Sequence, residues 1–408
     1  MKKSMQRKYA RLLVRMGVNI QKGQTLIVRA DTEIYPFIEI LADEAYKAGA
    51  GDVQIEWSNQ MLTKLAYRHR TLTSMSRVAP WKEAKLKEES ETLPAMIRIC
   101  SEDPDGLAGI NQDKAKKVRQ RQYPILKPYR EKMENRYQWL VAAVPGKAWA
   151  KKVFPGERTS AAVENLWNAI FEACLVTEDN DPIAAWQEKN ALMAQKCEQL
   201  NSYRFDYLEY KNSIGTDFRC TLMPQSLWCA GGEKTLGGTF FNPNMPTEEV
   251  FTTPKKGCCD GKLVASMPLS YQGTLIKDFW IAYKDGKAVE WDAAEGKAVL
   301  DSMLGSDEGA LMLGELALVP ADSPISNQNL LYYNTLFDEN ASCHVAAGRG
   351  YSNCVEGFEN MTKEQFDELG VNDSQIHVDF MIGTPDMSIV GYKDGVATQI
   401  FKDGNWAL

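Results

Sequence analysis

Only three histidines occur in the 408 residues, and two of them lie in the last quarter of the chain among acidic residues. His344 closes the stretch LFDENASCH, five residues after Glu339, and GRGY with Tyr351 follows it. His377 and Asp379 flank Val378 in QIHVDF. Upstream, Glu315 interrupts the apolar run GELALV, and NMPTEEVF sets Glu248 and Glu249 side by side before an apolar pair. Imidazoles and carboxylates without thiolates suit a catalytic Zn²⁺, Co²⁺ or Mn²⁺ rather than a structural thiolate site. A step of two along a strand puts His377 and Asp379 on one face, with Val378 and Phe380 toward the core. A carboxylate buried without a partner costs several kcal/mol, so Glu315 has to be paired, protonated or metal-bound. If a strand begins at VFTTP, only one of Glu248 and Glu249 can point into a site. Two histidines and four carboxylates exceed the needs of one tetrahedral ion with an open position. They match two ions about 3.5–4 Å apart that share carboxylates.

Each fragment also has a plainer reading. A His-x-Asp on a strand is more often a hydrogen-bonded pair than a ligand pair, and a glutamate in an apolar run more often meets an arginine. No compact motif such as HExxH is present to decide the matter. His69, in the basic stretch YRHR, reads as a surface histidine, and the adjacency of Cys343 to His344 reads as coincidence. Arg349 suits substrate positioning and an ion pair equally well.

Elements must then be found to carry these residues. The first half alternates. A helical pattern over 3–16 leads to TLIVRA (25–30), a helix over about 33–48 and a strand DVQIEW (52–57). LPAMIRIC (93–100) and QWLVAAVP (138–145) are further strands, and helical patterns cover 111–134, 160–174 and 183–200. Apolar strands alternating with amphipathic helices predict a mostly parallel, open α/β sheet of flavodoxin-like plan. No GxGxxG follows the first strand and no GxxxxGK[ST] occurs, so nothing marks a nucleotide site there. After about residue 200 the texture changes to short strand-like runs. Asp285-Gly286, Asp394-Gly395 and Asp403-Gly404 are hairpin signals, and their aspartates are turn residues rather than ligands. Helices are expected only over 293–304 and 363–369, where Thr362 and Gln365 have capping-box spacing. The expectation is an α/β domain over 1–200 and an α+β, antiparallel-rich domain over 201–408 carrying the metal site.

Bulk properties narrow the function. A net charge of −7 argues against nucleic acid as a general partner. Nine cysteines form no CxxC pair, and Cys258-Cys259 is not zinc-finger spacing, so free thiols in a reducing cytoplasm are expected. No apolar run approaches the roughly 20 residues of a membrane span, and the basic N-terminus has no apolar stretch of signal-peptide length.

At NSIGTDF, NMPTEEVFTTP, GELALV, TLFDENASCH with GRGY, and IHVDFMIG, the sequence resembles the metal-dependent aminopeptidases of the aminopeptidase T and aminopeptidase S type. The resemblance covers most of the chain and is weaker over 60–150. It implies a two-metal exopeptidase acting on peptides with a free N-terminus. It implies Glu249, Glu315, Glu339, His344, His377 and Asp379 as ligands, with Glu249 preferred over Glu248 because it directly precedes Val-Phe. It also implies Tyr351 as a catalytic tyrosine, a bridging or base role for Glu315, and a homodimer whose α/β domain helps to enclose the site. A two-metal hydrolase of another class, such as a phosphoesterase, is the competing reading, though no basic phosphate cradle accompanies the acidic residues.

Overall fold

The computed structural model describes residues 2–408, which form two compact units. One runs to Ala191 and also takes in Gly231–Thr247; the other comprises Leu192–Ala230 and Glu248–Leu408. The chain first passes from one unit to the other after Ala191. The return at 231–247 carries no compositional signal of its own.

The first unit starts with α1 (Lys3–Leu12), which widens into a π turn at Leu13–Gly17 and leads to β1 (Thr25–Asp31). Next come α2 (Tyr35–Ala48) and β2 (Asp52–Ser58). Three short helices, α3 (Gln60–His69), α4 (Leu72–Ser76) and α5 (Pro80–Thr92), precede β3 (Ala95–Cys100). α6 (Gln112–Met133) leads to β4 (Trp139–Ala143), followed by α7 (Lys147–Val153), α8 (Thr159–Ala173) and α9 (Pro182–Tyr203). The strands are all parallel, in the order β2-β1-β3-β4. Leu26, Ile27 and Val28 are buried in succession, as in parallel strands covered on both faces. α2 ends where Gly49 adopts a left-handed φ of 109°, a conformation that costs glycine little. Tyr9 of α1 packs its ring against Phe37, Trp167 and Phe171, and its hydroxyl donates to the Ala143 carbonyl at 3.1 Å. His69 is exposed at the end of α3, as a surface histidine should be.

From α9 the chain continues through β5 (Tyr207–Lys211), β6 (Asp217–Leu222) and β7 (Cys229–Ala230). It makes the short β8–β9 hairpin (Glu233–Lys234, Phe240–Phe241) of the first unit, where Val141 of β4 donates to the Pro243 carbonyl. It then forms β10 (Val250–Thr252), β11 (Pro254–Val264), β12 (Leu269–Tyr271), β13 (Thr274–Lys284), β14 (Lys287–Glu295) and α10 (Lys297–Leu304). The last stretch holds β15 (Leu313–Leu318), α11 (Thr335–Asp338), β16 (His344–Gly348), α12 (Lys363–Leu369), β17 (His377–Met381), β18 (Ser388–Lys393), β19 (Val396–Lys402) and β20 (Asn405–Trp406).

The second unit packs two antiparallel sheets on a common core. One has nine strands in the order β12-β13-β11-β6-β5-β18-β19-β20, with β14 on β13; the other has five in the order β17-β16-β15-β10-β7. Phe279 of β13 and Phe380 of β17 meet in that core with ring centroids 5.6 Å apart. All three Asp-Gly pairs are hairpin corners: Asp285, Asp394 and Asp403 have φ near 50° and their glycines are also left-handed. That backbone twist matches the flanking strands. Thr362 and Gln365 complete the expected capping box at α12.

Two expectations need correction. The helix predicted from 293 starts at Lys297, because β14 stays paired with β13 as far as Glu295. Seven cysteines are free, but Cys220 and Cys259 are joined in a disulfide. They stand opposite each other in the β6–β11 register with Cα atoms 4.3 Å apart, a juxtaposition that residue spacing does not reveal.

Candidate metal centre

The five-stranded sheet separates core from chemistry by alternation. On one face Val250, Leu316, Leu318, Val345, Ala347, Val378 and Phe380 join the hydrophobic core. On the other face stand Glu249, Glu315, His344, His377 and Asp379. The register places them together: Ala346 pairs with both Glu315 and Asp379, and Ala317 pairs with both His344 and Phe251. Alanines at 317 and 346 leave room between the larger polar side chains.

A bulge at Gly314 shifts the β15 register between Leu313 and Glu315. It lets Leu313 face the core while Glu315, two residues on, faces away. A Cβ at Gly314 would lie 2.1 Å from the Arg349 carbonyl oxygen, so only glycine fits this approach. Cys343 precedes His344 and points the other way, its thiol donating to the Val319 carbonyl at 3.2 Å. Its adjacency to His344 is positional only.

His344 Nε2 lies 3.0 Å from Glu249 Oε2, and His377 Nε2 lies 2.9 Å from Glu315 Oε2 and 3.3 Å from Asp379 Oδ1. Both imidazoles are oriented through the other nitrogen. His344 Nδ1 donates to the Ser342 carbonyl at 3.0 Å, and His377 Nδ1 to the Arg349 carbonyl at 2.7 Å. This second contact keeps each Nε2 directed inward and is the usual support of a ligating histidine. It also gives Arg349 a main-chain part in the site.

Of the adjacent glutamates it is Glu249 that meets His344. The Glu248 amide donates to Asn340 Oδ1 at 2.6 Å, while Asn340 Nδ2 donates to the Leu336 carbonyl at 2.9 Å. Asn340 thus ties the lead into β10 to the turn that carries Glu339. Asp338 accepts the amides of Tyr332 and Asn334 at 2.7 and 2.9 Å and holds the loop entering α11. Tyr351, in the loop after β16, has its hydroxyl 3.1 Å from His377 Nε2 and its ring against Phe251 and His377.

Burial governs the titration of these groups. It pushes the Glu315 carboxyl up to about 7, although His377 pulls against it. Burial, then the charges of Asp379, Glu249 and Glu315, hold Glu339 well above the usual carboxylate range. Asp379 is lowered, since His377 outweighs its burial. His344 rises to about 9 despite burial, because Glu249 stabilises the imidazolium. Tyr351 rises by burial and by the surrounding carboxylates.

Such a group of acids calls for cations. In each of two triads, Glu249–Glu315–His344 and Glu315–His377–Asp379, one ligand atom per residue lies within 4.8 Å of the others. Glu315 belongs to both. Asp379 Oδ1 is buried, with His377 Nε2 at 3.3 Å. Oxygen and imidazole donors and a shared carboxylate all fit a binuclear divalent centre. Glu339 lies beside Asp379 but outside both triads. Nothing local marks Asn340 or the two alanines in the sequence; the continued alternation Glu249–Phe251–Thr253 is the one signal for Thr253.

Known proteins similar to this chain are metalloproteases and aminopeptidases. The profile of the thermophilic metalloprotease (M29) family matches residues 2–406. Aminopeptidase 2 of Geobacillus stearothermophilus is 40% identical over 403 residues, covering 98% of this chain and 97% of its own. Aminopeptidase AmpS of Bacillus subtilis is 39% identical over 403 residues and 98% of each chain. The solved structure of wild-type AmpT from Thermus thermophilus superposes with a TM-score of 0.89 at 36% identity, over the whole of both chains.

Proposed function

The chain belongs to the thermophilic metalloprotease (M29) family and is a metal-dependent aminopeptidase hydrolysing N-terminal residues from peptides; from that premise we propose how its residues divide the work. The carrying observation is the pair of triads sharing Glu315 on one sheet face. Glu249, Glu315, Glu339, His344, His377 and Asp379 would hold two divalent ions, as Zn²⁺, Co²⁺ or Mn²⁺. Bound there, the ions supply Lewis-acid polarisation of the scissile carbonyl and a water acidic enough to serve as nucleophile near neutral pH.

Glu315 accepts the proton lost by the attacking water and delivers it to the leaving amine. Tyr351 keeps its proton and donates a hydrogen bond to the oxyanion as it develops. The carbonyls of Ser342 and Arg349 hold the imidazoles in a single tautomer throughout. The substrate's free α-amine is drawn to the same acidic site, which accounts for cleavage at the N-terminus alone.

Aminoacyl chromogenic substrates, assayed on stripped and reloaded enzyme with the metal counted by mass spectrometry, test this reading. Release should need a divalent ion and a free amine, with two ions per chain. Cleavage of N-blocked peptides in preference to free ones would sink it.

We further propose a homodimer, to be checked by light scattering, and a cytoplasmic location. The strand order β2-β1-β3-β4 supports a flavodoxin-like plan for the α/β domain over 1–200. We assign dimer contacts to that domain and catalysis to 201–408. Among the described residues no helix is long and apolar enough to cross a membrane.

A further inference from the structure

We propose that Thr253 is a positioning residue for Tyr351, holding its hydroxyl in place for catalysis; this rests on the role given to Tyr351 above. Tyr351 follows β16 in a loop, so no strand ladder fixes its main chain. The Cys354 amide donates to the Tyr351 carbonyl at 3.3 Å, and one side chain supplies the remaining contacts. Thr253 Oγ1 accepts the Tyr351 amide at 2.8 Å and donates to the Tyr351 carbonyl at 3.2 Å. The hydroxyl thus both donates to and accepts from the main chain of one residue, and Thr253 is wholly buried, with the Cys354 thiol also beside it. Its methyl is equally constrained, since a Cβ built at Gly350 would come 2.7 Å from Thr253 Cγ2.

Position in the chain makes this clamp relevant to the chemistry. Glu249, Phe251 and Thr253 alternate along one face of the β10 segment. Glu249 meets His344, Phe251 packs edge-on against the Tyr351 ring at 5.5 Å, and Thr253 grips the Tyr351 backbone. Five consecutive residues therefore fix the spacing between a proposed ligand and the oxyanion donor. Movement of the Tyr351 backbone would carry its hydroxyl away from His377 Nε2, now 3.1 Å distant, without moving that ligand.

The test is a double-mutant cycle on the metal-loaded enzyme. Thr253→Val keeps the shape but removes both hydrogen bonds. It should lower kcat about ten- to a hundredfold, the loss expected from a displaced catalytic group, with KM and bound metal unchanged. In a Tyr351→Phe background the same change should cost less than about twofold, since no hydroxyl remains to misplace. Thr253→Ser should restore most of the rate. It should also rescue Gly350→Ala, because serine lacks the methyl that an added Cβ would strike. If Thr253→Val does not fold, Thr253→Ala takes its place in the cycle. Equal losses in both backgrounds, with Tyr351→Phe itself slow, would overturn this proposal and leave the tyrosine's role standing. So would a serine variant as slow as valine. An unchanged rate in Tyr351→Phe would remove the role of the tyrosine, and this proposal with it.

Discussion

Carboxylates are buried in two parts of this molecule, with opposite consequences. Between α1 and α2, Glu44 is only 3% exposed, but Arg7, Arg11 and Lys47 reach it at 2.8, 3.2 and 3.3 Å. Burial raises its pKa, and the three cations more than reverse that, leaving it below the ordinary value. On the outer face of the five-stranded sheet, Glu315 faces His377 and, beyond it, Glu249 and Asp379; burial prevails and the carboxyl rises to about 7. Protein side chains complete the first arrangement. The second is complete only with divalent ions. A glutamate in an apolar surrounding is thus structural or functional according to whether its own chain supplies the compensating charge.

Replacement of the two glutamates breaks the comparison most directly. Glu315→Gln should lower kcat by about 10³-fold or more, because a proton acceptor and a shared ligand are lost together. The stripped variant should melt no lower than the stripped parent, since a buried charge among like charges has been removed; a lower melting temperature would count against that account. Tyr351→Phe should cost about 10²–10³ in kcat with the metal count intact, read by steady-state kinetics and metal analysis on one preparation. Stripping the metal should lower Tm by the equivalent of about 2.7 kcal/mol for each of the two ions whose free concentration had stood at a hundred times its Kd. The Glu44 cluster should contribute nothing to that difference, so Glu44→Gln should leave it unchanged.

Glu44→Gln itself should be the mildest change, about 1 kcal/mol in urea denaturation at neutral pH and less in high salt, since its partners are partly exposed. The sign of its pH dependence follows from a folded-state pKa lying below the ordinary 4.5. The stabilisation is present above about 4.5 and is lost as pH falls through the lowered value, so parent and variant should converge in strong acid.

The readable parts of the sequence were those whose chemistry is local. Apolar β-rich runs marked the parallel strands, and the three Asp-Gly corners followed from the left-handed backbone those residues tolerate. The step from His377 to Asp379 set both on one face because strand alternation requires it. Helices α3 to α5 left little pattern; α3 buries none of its residues, so no apolar stripe was needed. Other features exist only after strands pair. The bond between Cys220 and Cys259 depends on the β6–β11 register, and the proximity of Glu315 to His377 on a bulge two strands away. The parts played by Asn340 and Thr253 lie in hydrogen bonds to residues about ninety positions away in sequence. Their polarity alone marked neither.

The strand order β17-β16-β15-β10 also bears on time. β15, β16 and β17 follow one another along the chain and pair as neighbours, so Glu315, His377 and Asp379 can meet early. β10 must close a loop of roughly sixty residues before Glu249 reaches His344, and closure entropy grows with that length. Topology therefore makes the two triads unequal on a refolding chain: one forms with the meander, the other only when β10 docks on it. Refolding under limiting metal should show an ion captured before Glu249 is in place, and a Glu249→Ala chain should retain that early capture while losing the slower one.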